Sequence, residues 1–159
     1  MGAAAQQYHR APRGGKAAPG AGVLMLPPRD LQANPDEPPA GIGRAALRVL
    51  DMLFDLTRSY AEAFGARDAQ RVSALLHDDV VLEDPQAGPV SGRDAVMALN
   101  RSIFESCGSM ACRARTILVE GDRSVLEFEL DLDGKLIRGV DILEWRDGRI
   151  AAIRAYVNA

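Results

Sequence analysis

The sequence predicts an α+β domain in which helices cover one face of a curved, mostly antiparallel sheet. Two observations carry that expectation. Between residues 45 and 103, three stretches repeat apolar residues every three or four positions, the period of one helix face. Beyond residue 110 the period drops to two, and Asp-Gly pairs separate the alternating stretches, as in strands joined by hairpin turns. The predicted order is helix, helix, strand, helix, then a meander of four strands.

Residues 1–43 stand apart. They hold seven of the nine prolines, much Ala and Gly, and Tyr8 as their one aromatic residue. Such a segment cannot bury enough apolar surface to offset the entropy lost on ordering. It is expected to be a flexible extension, with residues 44–159 forming the folded domain. The apolar run Val23-Leu24-Met25-Leu26 is too short for the core of a secretory leader. The first 28 residues carry bases and no acids, as transit peptides do, but without an amphipathic helical period.

The first helix is expected over 45–64, with Leu53, Leu56, Tyr60 and Phe64 on its inner face and Gly65 as its stop. Asp68 suits the N-cap of a second helix that turns Val72, Leu75 and Leu76 inward. A strand follows over 80–84, and Pro85 keeps Asp84 extended. Residues 86–89 read as a loop. Ser91 is expected to cap a third helix, with Asp94 as its capping-box partner and Val96, Leu99 and Ile103 as its apolar stripe. Strands are expected over 111–120, 124–132, 136–145 and 149–157, with Asp133-Gly134 and Asp147-Gly148 as turns.

Composition narrows the function classes. A net charge of −3 argues against a nucleic-acid partner, whose binders carry a basic face. No apolar run approaches the roughly 18 residues of a membrane span. Cys107 and Cys112, the only cysteines, read as ordinary thiols of a reducing compartment, so a cytoplasmic location is expected. With His9 and His77 they show no ligand spacing, and neither metal nor organic cofactor is expected.

Two aspartates break the strand pattern. Asp84 is in step with Val80 and Leu82, and Asp141 is in step with Ile137, Leu143 and Trp145. Residues two apart share a strand face, so both carboxyls point toward the core. A carboxylate there must be paired, hydrogen-bonded or protonated. Each has a plain explanation: Asp84 as a cap for the next loop, Asp141 as half of an ion pair with Arg154, and Tyr60 as an ordinary core tyrosine. Taken together they supply a general base, a phenol donor and a carboxylic-acid donor, the parts for moving a proton beside a carbonyl. Apolar neighbours of Asp141 would keep it neutral, because desolvation raises a carboxyl pKa. Asp84, at a strand end, is the better solvated and the expected base. Leu56, Phe104, Phe128, Leu143 and Trp145 are the expected pocket walls.

Three blocks of sequence resemble the bacterial steroid delta-isomerases (ketosteroid isomerases) of the nuclear-transport-factor-2-like, or SnoaL-like, superfamily of conical, cystatin-like folds. They are Arg58-Ser59-Tyr60-Ala61-Glu62-Ala63-Phe64 with Arg67-Asp68, Leu76 through Pro85, and Val140-Asp141-Ile142-Leu143-Glu144-Trp145. The resemblance implies Tyr60 as oxyanion donor, Asp84 as base and Asp141 as protonated donor. It implies a homodimer and a small, hydrophobic, polycyclic steroid-like substrate, with a delta-5-3-ketosteroid converted to its conjugated delta-4 form. The chain departs from the family at Asn100, where a second tyrosine is usual, and at Val157, where an aromatic is usual. Two other readings fit the same residues: a SnoaL-like polyketide cyclase or dehydratase, and a lipid-binding or dimerising module without turnover.

Overall fold

The computed structural model describes residues 43–85 and 88–158. All of the expected extension except Gly43 lies outside the described residues, as do the loop positions Gln86 and Ala87. The elements are α1 (Arg44–Gly65), α2 (Ala69–Leu75), β1 (Leu76–Asp84), β2 (Gly88–Ser91), α3 (Arg93–Glu105), β3 (Met110–Glu120), β4 (Arg123–Leu132), β5 (Lys135–Arg146) and β6 (Arg149–Asn158).

The strands form one curved, unclosed mixed sheet in the order β2-β1-β6-β5-β4-β3. β3 to β6 are the expected meander, and β1 lies beside β6 in parallel, the one parallel pairing among the described residues. Both Asp-Gly turns place Asp and Gly at positive φ: 53° and 85° at Asp133-Gly134, 52° and 72° at Asp147-Gly148. That is the left-handed backbone that tight hairpins demand.

β2 is an addition to the expected fold. Gly88 and Pro89, read as loop, pair with β1, and Ser91 pairs with Val81 instead of capping a helix. Gly92, at φ 90°, takes the N-cap position of α3 with no side-chain cap, so the Ser91–Asp94 box does not form. The helix begins one residue later than expected, so Ser91 lies just outside the N-cap position. β1 also starts four residues early, which makes Leu76 its first residue and not part of the inner face of α2. At α2 the expected cap does form: the Asp68 carboxylate accepts from the Arg71 amide at 3.0 Å.

α1 packs along β3 and β4, and α3 packs against β1 and β2. On α1, Leu53 and Tyr60 are buried as expected, with Thr57, Ala61 and Ala63, while Leu56 and Phe64 are half-buried. Gly65 does not end the helix by left-handed geometry, because the positive φ falls on Arg67, at 57°. Glycine is required at 65 for contact: a Cβ there would lie 2.5 Å from the Cys112 amide nitrogen.

One buried polar chain ties α1 to the sheet. Trp145 Nε1 donates to Ser124 Oγ at 2.8 Å. Thr57 Oγ1 lies 2.7 Å from Ser124 Oγ and 2.7 Å from the Leu53 carbonyl oxygen. With one proton per hydroxyl, the bonds run from Trp145 to Ser124 to Thr57 to Leu53.

On β3 the inward phase shifts between Ala114 and Thr116, where the register with β4 slips. Met110, Cys112 and Ala114 face in before the slip, Ile117 and Val119 after it. An extra residue of this kind bends and twists a strand.

Candidate active site

Between α1, α3 and the concave sheet face lies a cavity of about 230 Å³. Tyr60 reaches it from α1, Asp84 from the end of β1, Asp141 from the middle of β5, Asn100 from α3 and Cys112 from β3. The rest of the lining is apolar, including Phe64, Leu99, Leu126, Phe128, Leu130 and Ile153. The three residues singled out as acid, base and donor therefore meet in one space.

Of the expected walls, only Phe128 lines it. Leu143 and Trp145 share the inner face of β5 with Asp141, but they are packed in the core beyond the lining. Phe104 lies behind Phe64, ring edge to ring face at 5.1 Å, and Leu56 is half-buried outside the lining. These four misplacements have one cause. The sequence orders residues along each face but does not tell how deep along it the cavity begins.

Burial pushes the Asp141 carboxyl up to about 7, and the nearby Asp84 charge pushes in the same direction. Among the described residues no cation pairs with it. Arg154, the partner that the plain ion-pair explanation would require, lies beside Ile142 and bonds Glu144 at 3.2 Å, while Ala155 stands opposite Asp141. One residue of register puts Arg154 on the far side of the sheet.

The Tyr60 hydroxyl is held well above the ordinary phenol range by burial, and then by the Asp141 and Cys112 charges. It stays a proton donor throughout the working range of a protein. The Cys112 thiol is pushed up to about 12 by burial and by Asp141, so it is a neutral thiol and not a nucleophile. Its place in the cavity was not foreseen; alternation with Met110 and Ala114 would have revealed its inward face.

Every fully enclosed side-chain nitrogen or oxygen among the described residues has a hydrogen-bond partner. Neither the Tyr60 hydroxyl nor the Asp141 carboxyl bonds another described residue, so both open onto the cavity. Asp84 is half-buried at its edge. A carboxylate facing two neutral donors across an apolar space can shift a proton on a bound molecule while an oxyanion is held.

No curated protein matches the chain by sequence. Solved structures do match in fold. A candidate ketosteroid isomerase from Kribbella flavida is 24% identical, with 69% of this chain and 80% of that one covered and a TM-score of 0.62. A candidate polyketide cyclase from Sinorhizobium meliloti is 19% identical, with 64% and 94% covered and a TM-score of 0.57. An LEH-like epoxide hydrolase of M. tuberculosis is 20% identical, with 69% and 85% covered and a TM-score of 0.60. At these identities the likeness is one of fold. The family model for the SnoaL-like domain matches residues 57–153, from Thr57 on α1 to Ile153 on β6, more than half of the chain. The chain therefore belongs to the SnoaL-like domain family.

Proposed function

We propose that this chain is an isomerase that moves a carbon–carbon double bond beside a carbonyl by intramolecular proton transfer. The observation that carries the reading is Asp141: a buried carboxyl without a cation partner among the described residues, raised to about 7, in one cavity with Tyr60 and Asp84. Neutral Asp141 and Tyr60 hold the carbonyl oxygen as it gains charge. Asp84 removes a proton from the carbon between the carbonyl and the double bond, and returns it to the far carbon of the resulting dienolate. The proton and the electron pair stay within the substrate and Asp84, so the step balances. Its cost is charge stabilisation and positioning. The substrate in this reading is a delta-5-3-ketosteroid or a similar flat enone, and the assembly is a homodimer, checked by sedimentation.

The test is the absorbance of the conjugated enone after a delta-5-3-ketosteroid is added to wild type and to Asp84→Asn. Turnover by wild type with a loss of about 10²-fold or more in the variant supports the proposal. No turnover, or equal turnover, sinks it. A SnoaL-like cyclase or dehydratase acting on a polyketide-type substrate is the second reading. It draws on the candidate cyclase of the same fold and needs the same two carboxyls.

A further inference from the structure

Asn100 has no place in the proton transfer. It sits on α3, is only 5% exposed, and lines the same cavity as Tyr60, Asp84 and Asp141. Its one hydrogen bond among the described residues is from Nδ2 to the Met97 sulfur at 3.9 Å, and a thioether is a weak acceptor. The carboxamide oxygen bonds no other described residue, yet no fully enclosed polar atom among the described residues lacks a partner. The oxygen therefore opens onto the cavity. A side chain buried to this degree, with its amide turned to the space a ligand fills, is a recognition group in search of its partner.

Asn100 reaches the cavity from a different helix than the phenol does: α1, which brings Tyr60, packs on β3 and β4, whereas α3 packs on β1 and β2.

The cavity, at about 230 Å³, is a small one for a ligand site. A bare hydrocarbon ring there would dry the Asn100 amide without pairing it, and sites built around a hydrogen bond reject ligands that lack its partner.

We propose that Asn100 is a specificity-determining residue, and that the natural substrate is a cyclic ketone bearing a hydroxyl group, which the Asn100 amide oxygen binds. The amide oxygen accepts from the hydroxyl, a donor that a carbonyl could not supply. This rests on the reading of Tyr60 and Asp141 as the oxygen-binding pair.

The experiment uses aromatic alcohols as non-reacting mimics of the enolate. Binding of 2-naphthol and of the 1,6-, 2,6- and 2,7-dihydroxynaphthalenes is titrated by fluorescence against wild type, Tyr60→Phe, Asn100→Leu and Asn100→Ala. At least one diol should bind wild type about tenfold more tightly than 2-naphthol, the effect of one well-made hydrogen bond. That gain should vanish in both Asn100 variants, while 2-naphthol binds them as tightly as before or more so. If 2-naphthol binds through Tyr60 and no diol gains, or the gain survives in a folded Asn100 variant, the role of Asn100 is overturned. The absence of any diol gain on wild type overturns that role even if both variants fail to fold. If wild type binds no naphthol, or binds it equally after Tyr60→Phe, the oxygen-binding reading itself fails.

Discussion

Asp141 and Arg154 lie on adjacent strands and face opposite sides of the sheet. Asp141 is opposite Ala155 on β6, and Arg154 is opposite Ile142 on β5, where it bonds Glu144 at 3.2 Å. The sequence alone allowed these two to pair, which would have fixed Asp141 as a carboxylate. With the arginine on the other face, burial and Asp84 raise the Asp141 carboxyl to about 7. A donor of that pKa loses its proton through the neutral range. Turnover should therefore fall as pH rises through about 7. Asp141→Asn, whose amide donates at every pH, should flatten that limb while it keeps a reduced rate. A pH–rate profile checks this, and a limb that survives the substitution assigns it to another group.

The same group links stability to pH. Unfolded, Asp141 has an ordinary carboxyl near 3.9; folded, it holds its proton to about 7. Between these values the folded state binds more protons than the unfolded one, so stability falls as pH rises. Well above 7 both states are ionised and the penalty is constant, at roughly 4 kcal/mol. Urea denaturation at pH 4 and pH 8 should show wild type losing that much relative to Asp141→Asn. Parallel pH dependences in the two proteins would place the proton elsewhere.

Tyr60→Phe removes the phenol donor and leaves the ring that meets Phe64 at 6.2 Å between centroids. The loss should appear in kcat, by about 10²–10³-fold, because the bond strengthens as the oxygen gains charge. KM should change little. Because the Asp141 charge raises the Tyr60 pKa, the two donors sense each other. A double variant with Asp141→Asn should therefore cost less than the product of the single losses.

Much of this site was legible because strand alternation is a strict code. Val80, Leu82 and Asp84 share a face, as do Ile137, Asp141, Leu143 and Trp145, and the structure keeps both sets inward. The pieces that were not legible depend on where one element meets another. β2 exists because Gly88 to Ser91 find a ladder partner in Val81 to Asp84. Cys112 joins the cavity because α1 crosses β3 at Gly65. Leu143 and Trp145 miss it because they lie farther along the strand, in packed core. Local pattern sets the face of a residue, whereas packing sets its depth.

Gly65 offers a direct check on that crossing. Its missing Cβ would meet backbone and Cβ of Cys112 at 2.5 and 2.9 Å, atoms that cannot swing aside. Gly65→Ala should therefore push the end of α1 off β3 and carry Tyr60, one and a half turns back, with it. We expect a loss of stability of about 1–3 kcal/mol, as overpacking typically costs, together with a fall in kcat. A stable, fully active Gly65→Ala would mean that the helix end yields freely and that Tyr60 is positioned from farther up α1.

The bonds from Trp145 through Ser124 and Thr57 to Leu53 predict a larger effect from a smaller change. Ser124 is buried between the other two side chains, 1% exposed, and serves as acceptor for one and donor to the other. Ser124→Ala removes a single oxygen and strands both the indole N–H and one side of the Thr57 hydroxyl. An unpaired buried donor costs about 1–3 kcal/mol, so the variant should lose about 2–4 kcal/mol in urea denaturation. Ser124→Cys should recover little, since a thiol is a weak acceptor. Replacing all three polar partners with apolar residues of similar shape, Thr57→Val, Ser124→Ala and Trp145→Phe, should cost less than their separate losses combined. The triple variant strands no polar side chain, and the apolar burial remains. Strict additivity across the three would show that each residue acts by packing alone.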